Sequence, residues 1–157
     1  RASYEGSRAL VKNTDSLSIR TDLGNTLNQS ISLQEELVDN LAALAVCKGE
    51  SAAPGLTAEQ ETLDLLKDQL DDNQTFLNAL VAQNNQIDSI SPGGGANAND
   101  WQSLSNAANI QLAGDSLGAQ QALTSAEEEL GAIQTNVDST LPGIKTQLTG
   151  CPNAPKP

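Results

Sequence analysis

Apolar residues recur mostly every three or four positions along three long segments of this chain, which is the repeat that an amphipathic α-helix requires. The first segment carries the stripe Ile19, Leu23, Leu27, Ile31, Leu37, Leu41 and Leu44. The second carries Leu63, Leu66, Leu70, Asn73, Leu77, Leu80, Asn84 and Ile87. The third carries Ala119, Leu123, Ala126, Leu130, Ile133, Val137, Leu141, Ile144 and Leu148. Each stripe must be buried against a neighbour, so the pattern predicts a bundle of long helices.

Turn-forming and capping residues predict where the first two helices begin and end. The first is expected over residues 15–47, because Lys48-Gly49 follows it as a cation and a C-terminal glycine. The second is expected over residues 57–91, with Thr57 and Gln60 spaced as a capping box. It should end before the linker-like glycines of residues 93–95.

The remaining elements are predicted in the same way. A short helix is expected around Trp101, from residue 99 or 100 to about Ala113, and the last helix begins at Asp115 or Ser116. Pro142-Gly143 falls inside the last stripe and predicts a kink or a break there. If the first helix begins near Ala2 instead, it would form a rod about 65 Å long at about 1.5 Å per residue.

The composition agrees with packed helices and with one domain. Hydrophobic residues make up 38% of the 157 residues but aromatic residues only 2%, so the core is built from Leu, Ile, Val and Ala. We predict an all-α fold, an elongated bundle of three long helices plus one short helix, closed by a disulfide. Residues 1–14 would form an N-terminal helical extension, residues 15–151 the bundle domain, and residues 152–157 a Pro-rich tail.

The two cysteines, Cys47 and Cys151, stand at the ends of the first and last predicted helices. A bond between them requires Cα atoms within about 7 Å, so these two helices must end at the same end of the bundle and run parallel. The alternative is two unpaired, buried thiols. A structural disulfide persists in an oxidising compartment, which predicts an extracytoplasmic location: secreted, periplasmic or at a cell surface.

The residue inventory argues against an enzyme. The chain has no histidine, which excludes Ser-His-Asp and Cys-His hydrolysis. Paired carboxylates remain as a route to glycoside cleavage, but most acids lie off the apolar stripes: Asp64, Asp68, Asp71, Asp72, Glu127, Glu128 and Glu129. We therefore predict no catalytic, cofactor-binding or metal-binding residues, and name only the disulfide pair Cys47 and Cys151 as site residues.

Several polar residues permit two interpretations. Asn73 and Asn84 interrupt the second stripe, either as a polar ligand site or, as we favour, to specify helix register. Both Asn28-Gln29-Ser30 and Asn73-Gln74-Thr75 are N-glycosylation sequons, and a glycan on Asn73 would clash with the stripe. Trp101 is interpreted as a plug over the end of a core, with a ligand platform as the alternative.

Charge and hydropathy limit the partners. Eight basic against twenty acidic residues give a net charge of −12, which disfavours nucleic acid. The longest apolar run, residues 41–46, is far shorter than the roughly 20 residues that cross a bilayer. The chain opens at Arg1 without a methionine, which suggests a mature chain or one lacking an N-terminal export or anchor segment.

The favoured hypothesis is a non-catalytic extracytoplasmic module that acts by protein contact or self-assembly, as an adhesin or as an envelope or filament subunit. The alternative is a carrier or sensor that binds a small apolar ligand, such as a lipid, between its helices.

Overall fold

Three long helices make up the structure, a computed structural model that describes residues 14–49, 54–89 and 115–151. They are α1 (Thr14–Lys48), α2 (Leu56–Ser89) and α3 (Asp115–Thr149), and these residues contain no strand. The all-α prediction and the three long helices are confirmed. The predicted extension before residue 14, the short helix around Trp101 and the tail 152–157 lie outside the described residues.

Two glycines shape the ends of α1 and α2. Gly49 follows α1 with φ of 70°, and its N–H donates to the Val46 carbonyl at 3.1 Å. Gly55 precedes α2 with φ of 82°, and its carbonyl accepts from the Glu59 N–H at 3.0 Å. That bond makes Gly55 the residue that caps α2, so the predicted capping box at Thr57 is wrong. Thr57 instead lies inside the first turn, because the helix begins one residue earlier.

Alanine substitutions at two glycines should have opposite effects on stability. Gly49→Ala is expected to lower the free energy of unfolding by roughly 1 kcal/mol, because its positive φ is unfavourable for a residue with a Cβ atom. Gly131→Ala is expected to raise it by roughly 0.8 kcal/mol, because Gly131 is an exposed helical residue whose added Cβ would meet nothing within 4 Å. Urea unfolding followed by circular dichroism measures both, and shifts of the same sign would contradict this assignment of the backbone.

The helix α3 continues without interruption through Pro142, so of the kink or break predicted at Pro142-Gly143 the break is wrong. Proline removes one helical hydrogen bond. Its neighbours Leu141 and Ile144 are nevertheless buried, at 7% and 5% exposure, and hold both sides of the position against the core. Pro142 itself is exposed, and its carbonyl accepts from Thr146 Oγ1 at 2.9 Å.

The described residues fall into two compact units, each built from segments of all three helices. Unit 1 contains residues 14–24, 72–89 and 115–124, and unit 2 contains residues 25–49, 54–71 and 125–151. The described buried hydrophobic side chains of unit 1 are Leu23, Leu80 and Ala119. Those of unit 2 include Leu27, Ile31, Leu37, Leu41, Leu44, Leu63, Leu66, Ile133, Val137 and Ile144. Among the described residues, unit 2 therefore holds more buried aliphatic side chains than unit 1.

Unit 2 also holds the disulfide. Cys47 and Cys151 are bonded, with their Cα atoms 6.0 Å apart, as the sequence predicted. A second contact joins α1 to α3, because Lys145 Nζ lies 3.1 Å from Glu36 Oε1. Glu36 comes before Cys47 in the chain, and Lys145 likewise comes before Cys151. Within unit 2 the two helices therefore run parallel, which confirms the geometric argument made from the cysteines.

Candidate functional site

Buried polar side chains form one cluster in each unit, and these are the candidate sites of the described residues. In unit 1, Arg20 of α1 and Asp115 at the start of α3 form a two-pronged ion pair. The Nη2–Oδ1 distance is 2.6 Å and the Nε–Oδ2 distance is 2.8 Å. Only 14% of the Arg20 side chain and 8% of the Asp115 side chain are exposed. Ser16, which is fully buried, donates from Oγ to Asp115 Oδ2.

The helix α2 joins the same cluster through Asn73 and Phe76. Arg20 Nη1 donates to Asn73 Oδ1 at 3.1 Å, and Asn73 Nδ2 donates to the Arg20 carbonyl at 2.9 Å. The Arg20 guanidinium carbon lies 3.9 Å from the centroid of the Phe76 ring, a cation–π contact. This unit 1 cluster thus connects all three helices of its unit. Its reciprocal Asn73 contact favours the register interpretation of that residue over a ligand site.

The charge of Asp115 is stabilised by the cluster. Burial by itself raises the pKa of this carboxyl group, but hydrogen bonds from Arg20 and Ser16 and the positive charge of Arg20 outweigh burial. The net effect lowers the pKa of Asp115 below its ordinary value of 3.8. A carboxylate with a lowered pKa is held in its ionised form, which suits an ion pair and not a general acid.

This lowered pKa predicts how stability depends on pH. Ionised Asp115 stabilises the folded state above the unfolded-state pKa, and this contribution is lost as the pH falls through the lower, folded-state pKa. The loss should begin below about pH 5 and continue below the ordinary pKa. Thermal unfolding of the wild type and of Asp115→Asn at pH 7 and pH 3 measures it. The difference in midpoint between them should shrink at pH 3, and an unchanged difference would contradict the prediction.

In unit 2 the corresponding cluster consists of Gln34 of α1, Glu59 of α2 and Asn136 of α3. Gln34 is 1% exposed, and its Nε2 donates to the Glu59 carbonyl at 3.0 Å and to Glu59 Oε2 at 2.5 Å. Asn136 Nδ2 donates to Glu59 Oε1 at 3.2 Å. This unit 2 cluster also connects three helices, with the half-buried Glu59 carboxylate as its common acceptor.

Two buried oxygens near the unit 2 cluster have no hydrogen-bond partner in the protein, Ser30 Oγ and Gln34 Oε1. Ser30 is 1% exposed and lies one helical turn before Gln34, so both residues face the same side of α1. In unit 1, Gln83 Oε1 and Asn84 Oδ1 are likewise buried without a partner. Asn84 therefore lacks the reciprocal contacts that Asn73 makes.

The structure brings some of the residues singled out in the sequence into contact with other residues, and others lie outside the described part of the chain. Cys47 and Cys151 are joined and Asn73 lies inside a polar cluster, whereas Trp101 lies outside the described residues. The acids expected to face solvent are exposed, apart from the half-buried Glu129: Asp64, Asp68, Asp71, Asp72, Glu127 and Glu128. Sequence reasoning missed Arg20, Asp115 and Gln34 as members of clusters. One feature of the sequence could have indicated the clusters: the polar residues Ser16, Ser30 and Gln34 lie on the inward stripe of α1.

The chemistry available to these clusters is limited by their composition. Each cluster contains a single carboxylate, Asp115 in unit 1 and Glu59 in unit 2, and each carboxylate is occupied by donors of its own cluster. Acid–base cleavage of a glycoside needs two carboxyl groups facing one substrate. Within the described ranges, no group of three or more His, Cys, Asp or Glu side chains is placed to hold a metal ion. The hydrogen bonds within each cluster join the three helices of its unit.

Comparison of the chain with protein-family models, with curated proteins and with solved structures finds no match. Among the described residues, no helix is both long and apolar enough to cross a membrane.

Proposed function

We propose that this chain is a non-catalytic, extracytoplasmic helical module that acts by protein contact, as an adhesion, envelope or filament subunit. The observation that carries the proposal is that the inward-facing polar side chains form hydrogen bonds with one another. Arg20, Asn73 and Asp115 bind one another in unit 1, and Gln34, Glu59 and Asn136 do so in unit 2. These side chains serve the packing of helices, and the outer faces carry the groups that meet other molecules.

The outer faces combine negative charge with exposed apolar side chains. Among the residues whose side chains the structure describes, four large hydrophobic ones are exposed: Val46 at 60% and Leu65 at 53% in unit 2, and Val81 at 46% and Leu117 at 69% in unit 1. Single exposed apolar side chains occur on most proteins. At a protein interface they supply the apolar contact area. The disulfide in unit 2 supports an oxidising, extracytoplasmic location.

Light scattering coupled to size-exclusion chromatography, over a wide range of protein concentration, tests the proposal. We expect self-association, and expect the variant Val46→Ser/Leu65→Ser/Val81→Ser/Leu117→Ser to weaken it. Ala132→Ser, at another exposed position of α3, is the matched control and should associate as the wild type does. A strict monomer at high concentration that also binds no surface would overturn the proposal. Native mass spectrometry on the same sample, showing a retained lipid, would instead favour the apolar-ligand carrier.

A further inference from the structure

The two N-glycosylation sequons of the chain lie in opposite environments. Asn28, in the Asn28-Gln29-Ser30 sequon, is an exposed residue of α1 in unit 2. Asn73, in the Asn73-Gln74-Thr75 sequon, is 3% exposed in unit 1. A sequon carries a glycan in a folded protein only where the glycan can extend into solvent.

Both the nitrogen and the oxygen of the Asn73 side-chain amide are hydrogen-bonded inside the fold. Its Nδ2 donates to the Arg20 carbonyl at 2.9 Å and its Oδ1 accepts from Arg20 Nη1 at 3.1 Å. A Cβ added at Gly24 would already lie 3.4 Å from Nδ2, so the neighbouring helix leaves little space beside that nitrogen. A sugar bonded to Nδ2 would displace α1 and expose Arg20 and Asp115, which the cluster keeps buried.

Asn28 meets the opposite condition, with one restriction on timing. Its exposed position lets a glycan extend from α1 without displacing a packed residue. The sequon hydroxyl, however, belongs to Ser30, which is 1% exposed in the folded protein. A transferase that reads this hydroxyl must therefore act before α1 packs into unit 2.

We propose that Asn28 is the N-glycosylation site of this protein in a eukaryotic secretory pathway, that it is modified before unit 2 folds, and that folded molecules carry no glycan at Asn73. In this step the donor is a lipid-linked oligosaccharide diphosphate. Asn28 Nδ2 forms a bond to C1 of the first sugar as the bond between C1 and the diphosphate oxygen breaks. The lipid diphosphate leaves, one Nδ2 proton passes to a base of the transferase, and nothing is oxidised or reduced.

The inference rests on the extracytoplasmic location in the proposed function. Its test therefore sends the protein through a secretory pathway. The full chain, fused to a cleavable signal peptide, is secreted from a eukaryotic host and treated with a peptide N-glycosidase. Before this treatment, the intact mass should show one glycan. After it, peptide mapping should find the conversion of Asn to Asp at position 28 alone. The unfolding midpoint should be similar before and after glycan removal, because the exposed glycan replaces no contact of the fold.

Two variants separate the sequons. Asn28→Gln should abolish the glycan, while Thr75→Ala, at an exposed position, removes the second sequon and should leave the glycan in place. Secreted, folded wild type without a glycan on Asn28, or with one on Asn73, overturns the inference. Such a failure leaves the light-scattering result untouched, so it is distinguishable from a failure of the proposed function.

Discussion

Reduction of the Cys47–Cys151 bond is expected to lower the free energy of unfolding by about 4 to 5 kcal/mol. The cysteines are 104 positions apart, and in the chain-entropy model a loop of about a hundred residues restricts the unfolded chain by that amount. For a domain of this size the midpoint of thermal unfolding should fall on the order of 10 °C or more. Helical content at low temperature should be retained, because each helix keeps its buried stripe.

Calorimetry with and without reductant measures this effect, and cysteine variants provide the control. Cys47→Ser, Cys151→Ser and the double variant should be destabilised by similar amounts, since any one of them removes the same bond. Reductant should leave the double variant unchanged. A thiol titration of the denatured, unreduced protein that finds two free thiols would disprove the bond and remove the support it gives to an oxidising compartment.

Loss of the Arg20–Asp115 ion pair is the second large effect. Arg20→Met leaves a carboxylate with 8% exposure and no cation, and removing one partner of such a pair costs about 3 to 5 kcal/mol. We expect the unfolding midpoint to fall on the order of 10 °C, and amide hydrogens of residues 16–24 to exchange faster.

Two comparisons make this prediction specific. Lys67→Met removes the Lys67–Glu35 pair of unit 2, whose atoms are 3.5 Å apart and whose side chains are about half exposed, and it should cost less than about 1 kcal/mol. Arg20→Met/Asp115→Leu removes both buried charges and should recover much of the stability that the single substitution loses. Equal losses for Arg20→Met and Lys67→Met would show that burial does not strengthen the Arg20–Asp115 pair.

The sequence by itself determined the long helices and the disulfide. Spacings of three and four between apolar residues are local properties of the chain, and Leu23, Leu66 and Val137 are buried as those spacings predict. The pairing of Cys47 with Cys151 followed because the chain has only two cysteines, both at predicted helix ends. Prediction of local features was weaker where two rules competed. Pro142 did not break α3, because its buried neighbours outweigh one lost hydrogen bond.

Only the tertiary structure decided which polar residues act together. Asn73 and Asp115 follow Arg20 by 53 and 95 positions along the chain, and no local repeat relates the three residues. A buried polar side chain looks like an interruption of its own stripe until the helix beside it is known, as Asn73 and Gln34 both show. The pairing depends on helix register, which is set by the packing of whole stripes. The sequence therefore determined which faces are buried, and the fold determined that Arg20 meets Asp115 and that Gln34 meets Glu59.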